Sequence, residues 1–205
     1  MSKPIPLQYG KYYHIYNRGN NRENIFIKDR NYRYFLELYA KYIVPIADTY
    51  VYCLLHNHFH FMVRIKAVEE QETLRVSETL RVFKPKNPSQ QFGNLFNAYA
   101  KAINKAYNRT GSLFQNPFGR IEVDSDAYFT WLAIYIHQNP QKHGFVDDFR
   151  TWPHSSYRTL LSAKPTRLQR DEVLAWFDGV DNFVASHQQE VAEQKVALWV
   201  PEDFD

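Results

Sequence analysis

Two histidines separated by one residue, His58 and His60, are the strongest chemical signal in this sequence. They lie in the run His58-Phe-His-Phe-Met-Val-Arg-Ile65, whose aromatic and β-branched types predict an extended strand. Alternate side chains of a strand share a face, so His58 and His60 project together, about 7 Å apart at Cα, while Phe59 points into a core. Two imidazoles so placed can converge on one divalent cation or form a hydrogen-bonded, solvated pair, and the spacing alone leaves both open. Two histidines do not fill a coordination shell, so a third ligand has to come from elsewhere. Two nitrogens plus an amide or carboxylate oxygen suit Mg²⁺ or Mn²⁺ when phosphate oxygens complete the shell, and Zn²⁺ also accepts histidines. His56 has the same parity, but Asn57 is a natural break that can turn it away.

The second stretch with chemical content is Tyr135-Ile-His-Gln-Asn-Pro-Gln-Lys-His-Gly-Phe-Val146. On a helix Tyr135 and Asn139 are four residues apart and share a face. Spacing by itself favours a core tyrosine in a stripe with Trp131 and Ile134, with Asn139-Pro140 as a helix stop. Cations form a third group. Arg18 and Arg22 flank a turn at Gly19, and Lys101, Lys105 and Arg109 fall along one predicted helical side. Each can contact phosphate or base edges, or be ordinary solvated charge. Trp152 and Tyr157 read as packing residues.

These residues need elements to position them. Residues 11–17 read as a strand and 29–44 as a helix with Asp29 as N-cap and Pro45 as its stop. Residues 49–55 and 58–65 read as neighbouring antiparallel strands. Residues 67–90 are polar, carry a near-repeat (Glu72–Val76, Glu78–Val82), and read as a mobile insertion. A helix over 89–108, a strand over 119–123 and a helix over 125–139 follow. This β-α-β-β-α-β order predicts an α+β, ferredoxin-like fold: a four-stranded antiparallel sheet with helices on one face and the other face open for a site. Residues 1–149 form that domain. Residues 150–205 form a helical C-terminal extension, with helices starting at Ser155-Ser156-Tyr157 and spanning Asp171–Phe177 and Asp181–Val196.

Composition narrows the classes. The 205 residues are 44% hydrophobic and hold 15 Tyr and 15 Phe, enough for a sizeable core with tyrosines to spare for stacking or chemistry. The single cysteine, Cys53, cannot pair within the chain, which suits a reducing, cytoplasmic compartment. No run approaches a membrane span and the N-terminus lacks a signal-peptide pattern. The net charge of +3 divides into +6 over residues 1–66, +5 over 67–170 and −8 over 171–205. A basic body with an acidic tail suits a polyanionic partner such as nucleic acid.

Four stretches together resemble the one-tyrosine HUH transposases, in their REP-associated tyrosine transposase branch. They are Tyr16-Asn-Arg-Gly-Asn-Asn21, Leu55-His-Asn-His-Phe-His-Phe61, Gly111-Ser-Leu-Phe-Gln115 and Tyr135-Ile-His-Gln-Asn-Pro140. Trp152-Pro-His-Ser-Ser-Tyr157 also looks like this branch. The resemblance spans roughly residues 8–160, in the family's order. It implies a ferredoxin-like catalytic domain, His58 and His60 as metal ligands, Asn139 as the third ligand and Tyr135 as nucleophile. It implies cleavage and rejoining of single-stranded DNA beside hairpins through a 5′-phosphotyrosine, with Mg²⁺ or Mn²⁺. It also admits a homodimer, and association with the nucleoid when DNA is bound. A domesticated hairpin binder that no longer cuts, an RNA-binding module of the same fold, and a metal hydrolase using His58 and His60 with a water nucleophile are the alternatives. The chain departs from the family at His56, where many members have proline. It also departs at Asn116-Pro-Phe-Gly-Arg120, where many have a basic Arg-Phe-Lys run.

Overall fold

The computed structural model describes residues 5–73 and 85–189. Four strands make one antiparallel sheet: β1 (Tyr12–Arg18), β2 (Ala47–Leu54), β3 (His58–Ile65) and β4 (Gly119–Val123), in the order β2-β3-β1-β4. Helices α1 (Asp29–Tyr42) and α3 (Pro88–Ala106) sit between them in the chain, with a short α2 (Val68–Thr73) after β3. The expected α+β, ferredoxin-like sheet is present. Most of the near-repeat in the insertion lies outside the described residues, as does the end of the Asp181–Val196 stretch.

Period-two alternation divides the strands between two cores. Tyr13, Ile15, Phe59, Phe61, Val63 and Ile65 face α1 and α3, which supply Phe35, Leu38, Phe92, Leu95 and Tyr99. Both helices of the β-α-β-β-α-β unit therefore pack on one face, as their apolar stripes require. Local chemistry sets their ends. Asn87 caps α3 by accepting from the Gln90 N–H, with Pro88 in the first turn. At α1 the cap is Lys28 rather than Asp29, and the Asn31 amide oxygen accepts the Lys28 N–H.

The opposite sheet face is not open. Helix α4 (Asp126–Lys142) lies across it, and α5 (Tyr157–Leu161), α6 (Arg170–Trp176) and α7 (Val180–Ser186) pack around α4. Met62, Val51 and Cys53 of the sheet meet Leu132, Ala133 and Ile136 of α4, and Trp152, Tyr157, Leu160, Val173, Phe177 and Phe183 close the far side. The face expected to be open is covered because the C-terminal helices, which the sequence presents as an extension, pack with α4 into a second core. Trp152 and Tyr157 are packing residues, and the Trp152 indole N–H donates to the Leu54 carbonyl at 2.9 Å. Helix α4 also runs past its expected stop at Asn139-Pro140. Pro140 sits inside the last turn, and the His143 N–H still reaches the Asn139 carbonyl.

Candidate active site

By parity, His14 and Tyr16 of β1 and His58 and His60 of β3 face the α4 side of the sheet. The β1–β3 register sets Tyr16 opposite His60 and Arg18 opposite His58. Helix α4 brings Tyr135 and Asn139, one turn apart, onto the same place. The Asn139 Oδ1 lies 3.1 Å from His58 Nε2, and the Tyr135 ring stands edge-on to His60 at 5.5 Å between centroids. His58, His60, Asn139 and Tyr135 are 1%, 0%, 0% and 3% exposed, so the site is enclosed within one chain.

Hydrogen-bond logic gives the proton positions. The side-chain oxygens of Asn57 and Asn139 both face His58, 2.7 Å from Nδ1 and 3.1 Å from Nε2; a neutral ring has one proton, and the shorter contact favours Nδ1. The Nε2 of His58 then presents a lone pair. The Asn139 amide donates its NH₂ to the Tyr135 carbonyl at 3.4 Å, which turns its oxygen toward that lone pair. In that tautomer two acceptors stand 3.1 Å apart, an arrangement that a positive centre bound to both would relieve. Adjacent ligands on an octahedral cation with bonds of about 2.1 Å stand roughly 3 Å apart. His60 has the same character. Its Nδ1 is 2.9 Å from His14 Nε2, and its buried Nε2 has no partner among the described residues. Two imidazole nitrogens and an amide oxygen thus fit a hard divalent cation. No group of three His, Cys, Asp or Glu side chains that could hold a metal ion occurs among the described residues, so a third ligand beside His58 and His60 would have to be of another type, such as the Asn139 amide oxygen.

The electrostatics agree. Burial, followed by His14, His58, His143 and Arg18, holds the His60 pKa well below its ordinary value, so the ring is neutral and able to donate its lone pair. Burial alone holds His14 down at about 3. Burial also pushes the Tyr16 phenol up to about 12. Gly119 lets the Tyr16 ring lie flat across β4, because a Cβ there would collide with it.

The other expected residues divide. Arg18 is not a solvent-facing turn residue: it ends β1, is 5% exposed, and lies close enough to His60 to depress its pKa. Arg22 is exposed in the following turn with φ 60. Lys101 and Lys105 are exposed on α3, across the sheet from the histidines. Arg109 is off that helical side. Helix α3 ends at Ala106, Asn108 takes φ 52, and Arg109 pairs with Glu23 and Asn104. His56 is turned from the cluster, its Nδ1 2.9 Å from the Tyr32 hydroxyl.

His14 and His143 were not singled out from the sequence. His14 shares strand parity with Tyr16, which was the available signal. His143 caps α4 two turns beyond Tyr135 and stands edge-on to His58 at 4.8 Å. Three distant stretches also meet beside the site. The Gly19 N–H donates to the Asn57 carbonyl, the Asn20 N–H to Leu113, and the Gln115 N–H to Arg18.

Comparison with known proteins follows the same lines. No family model matches the chain. A Haemophilus influenzae protein described as "Putative REP-associated tyrosine transposase" is 24% identical over 119 residues, covering 57% of this chain and 62% of the relative. The chain thus matches less than two thirds of that relative's length. A solved structure of a REP-associated tyrosine transposase bound to a REP hairpin superposes with a TM-score of 0.58 at 15% identity, over 80% of this chain and 88% of that one. In sequence and in fold, the chain is similar to REP-associated tyrosine transposases.

Proposed function

We propose that this chain cleaves and rejoins single-stranded DNA beside a hairpin, with Tyr135 as nucleophile and His58, His60 and Asn139 holding Mg²⁺ or Mn²⁺. The observation that carries the reading is the grouping of the His58 and His60 rings, 5.2 Å apart between centroids, with the Asn139 amide oxygen 3.1 Å from His58 and the Tyr135 ring edge-on to His60. The likeness to a hairpin-bound transposase supports the DNA partner.

A cation held there would neutralise charge on the scissile phosphate and orient it. The chain's own residues do the rest. Arg18, at the end of β1 beside His58, offers a fixed positive charge to the same phosphate. The Tyr135 oxygen bonds to phosphorus, the P–O3′ bond breaks, the phenol releases its proton and the departing 3′ oxygen takes one up. The product is a 5′-phosphotyrosine and a free 3′-OH. The new ester conserves the energy of the old bond, so a 3′-OH can reverse the step and join strands without a nucleotide cofactor. Asn139, hydrogen-bonded to the Tyr135 carbonyl, ties the proposed ligand and nucleophile into one turn of α4.

An RNA-binding module that stacks bases on its sheet needs an open sheet face. Here α1 and α3 cover one face and α4 the other. A non-cleaving hairpin binder has no use for a buried His60 Nε2 that finds no partner among the described residues. The test is incubation with labelled single-stranded hairpins and Mn²⁺. A covalent adduct that disappears in Tyr135→Phe supports the reading. Hairpin binding without any adduct, or full cleavage by Tyr135→Phe, overturns it.

A further inference from the structure

His14 lies outside the proposed ligand set, yet it is fully buried and hydrogen-bonds to His60, with 2.9 Å between His14 Nε2 and His60 Nδ1. One proton occupies that contact, and its position decides what His60 can do. With the proton on His60 Nδ1, the buried His60 Nε2 is a bare lone pair and the His14 proton sits on its Nδ1, which likewise has no partner among the described residues. With the proton on His14, His60 Nε2 becomes a buried N–H with no acceptor among the described residues, and cannot ligate. His58 has a parallel arrangement, its Nδ1 proton held by the Asn57 amide oxygen. The two imidazoles are thus each backed by a group that accepts from Nδ1, one an amide and the other a second histidine. The backing is rigid as well as correctly polar. His14 stacks on His60 at 5.1 Å between centroids and is wedged by the Tyr16 ring at 4.8 Å, which Gly119 allows to lie there.

We infer that His14 is a positioning residue: it holds the proton of His60 on Nδ1 and so aims the His60 Nε2 lone pair into the cation site. The inference rests on the reading of His58, His60 and Asn139 as a metal centre. Outer groups that fix a ligand imidazole typically contribute 10–100-fold to metal affinity.

The experiment titrates Mn²⁺ alone into the full chain by calorimetry, for wild type, His60→Ala, His14→Phe and His14→Gln. Phenylalanine keeps the ring volume and stacking but cannot accept a proton, whereas glutamine restores an acceptor oxygen. Long-range ¹H–¹⁵N spectra of the metal-free protein report the His60 tautomer directly. The expected result is the Nδ1–H tautomer of His60 in wild type and its loss in His14→Phe. Mn²⁺ affinity should fall about 10–100-fold in His14→Phe and recover to within a few-fold of wild type in His14→Gln. Loss of binding in His60→Ala with unchanged affinity in His14→Phe overturns the role of His14 while leaving the metal centre standing. So does an Nε2–H tautomer of His60 in wild type, or equal loss in a folded His14→Gln. Absence of Mn²⁺ binding by wild type overturns the metal centre and this inference with it.

Discussion

Helix α4 separates two buried histidine clusters, and they differ in one respect. Toward the sheet stand His14, His58 and His60. Toward the C-terminal helices, His137 Nδ1 is 2.8 Å from His187 Nε2, and His137 Nε2 is 2.8 Å from the Ser156 hydroxyl. In the second cluster every ring nitrogen has a partner. His187 Nδ1 donates to the Phe183 carbonyl at 2.7 Å, so its Nε2 accepts from His137 Nδ1, and the Ser156 hydroxyl, which also reaches the Tyr52 carbonyl at 3.1 Å, contacts His137 Nε2. A closed chain of this kind has nothing left to bind with, and it holds helices together. In the first cluster, one ring nitrogen each of His14 and His60 has no partner among the described residues. Buried polar groups are costly when unmatched, so an unmatched set marks a place where something else completes the bonding. The count of histidines does not distinguish the clusters; their unfilled hydrogen-bonding capacity does.

The contrast can be broken at several points. The largest effect belongs to Tyr135→Phe, in which covalent DNA adducts should vanish from a denaturing gel while hairpin binding by mobility shift persists. Next comes the metal increment. By mass action, Mn²⁺ at about 100 times its dissociation constant should stabilise the wild type by roughly 2.7 kcal/mol in denaturant unfolding. His58→Ala should abolish that increment. His187→Ala should leave the increment intact and lower the baseline, by about 1–3 kcal/mol from the orphaned His137 donor alone. If His187→Ala removed the increment and His58→Ala did not, the clusters would have exchanged roles.

A pH scan reads the closed cluster. Burial holds His187 down at about 4 and His137 well below its ordinary value, so both stay neutral in the folded chain while the unfolded chain protonates near 6.5. Their contribution is complete above pH 6.5 and is lost as pH falls from 6.5 toward 4, at up to about 1.4 kcal/mol per pH unit for each group. Unfolding free energies measured across that window should decline, and less steeply in His187→Ala. The smallest effect belongs to Lys101→Ala. If that exposed cation meets a phosphate, hairpin affinity weakens slightly and the salt slope drops by about one. Arg109→Ala should move that slope less, because Glu23 already neutralises it.

Much of this arrangement could be read along the chain. Strand β3 was bounded correctly because His58–Ile65 alternates cleanly, and its parity put both histidines on one face. Tyr135 and Asn139 were paired by helical spacing. What escaped was whatever depends on register or on distant partners. His14 meets His60 only through the β1–β3 pairing, across 46 residues, and inside Tyr-Tyr-His-Ile-Tyr it looks like any strand residue. Arg109 appeared to extend a helical row, but the left-handed Asn108 turned it toward Glu23. Pro140 read as a stop because proline lacks an N–H, yet the turn survives on bonds from His143 and Phe145. The second core was the largest omission. Residues 150–189 look like an appendage when only motifs are followed, since the aromatic residues that bury α4 carry no chemical signature.

That second core separates the unit of chemistry from the unit of folding. The motif-bearing stretches end near residue 160, but Val173, Phe177 and Phe183 are what give the tyrosine helix an interior to face. A fragment trimmed to the motifs would keep every reactive group and lose the wall behind them. Whatever the motif-bearing groups do, they do it on a foundation of apolar residues that carry no chemical signature of their own.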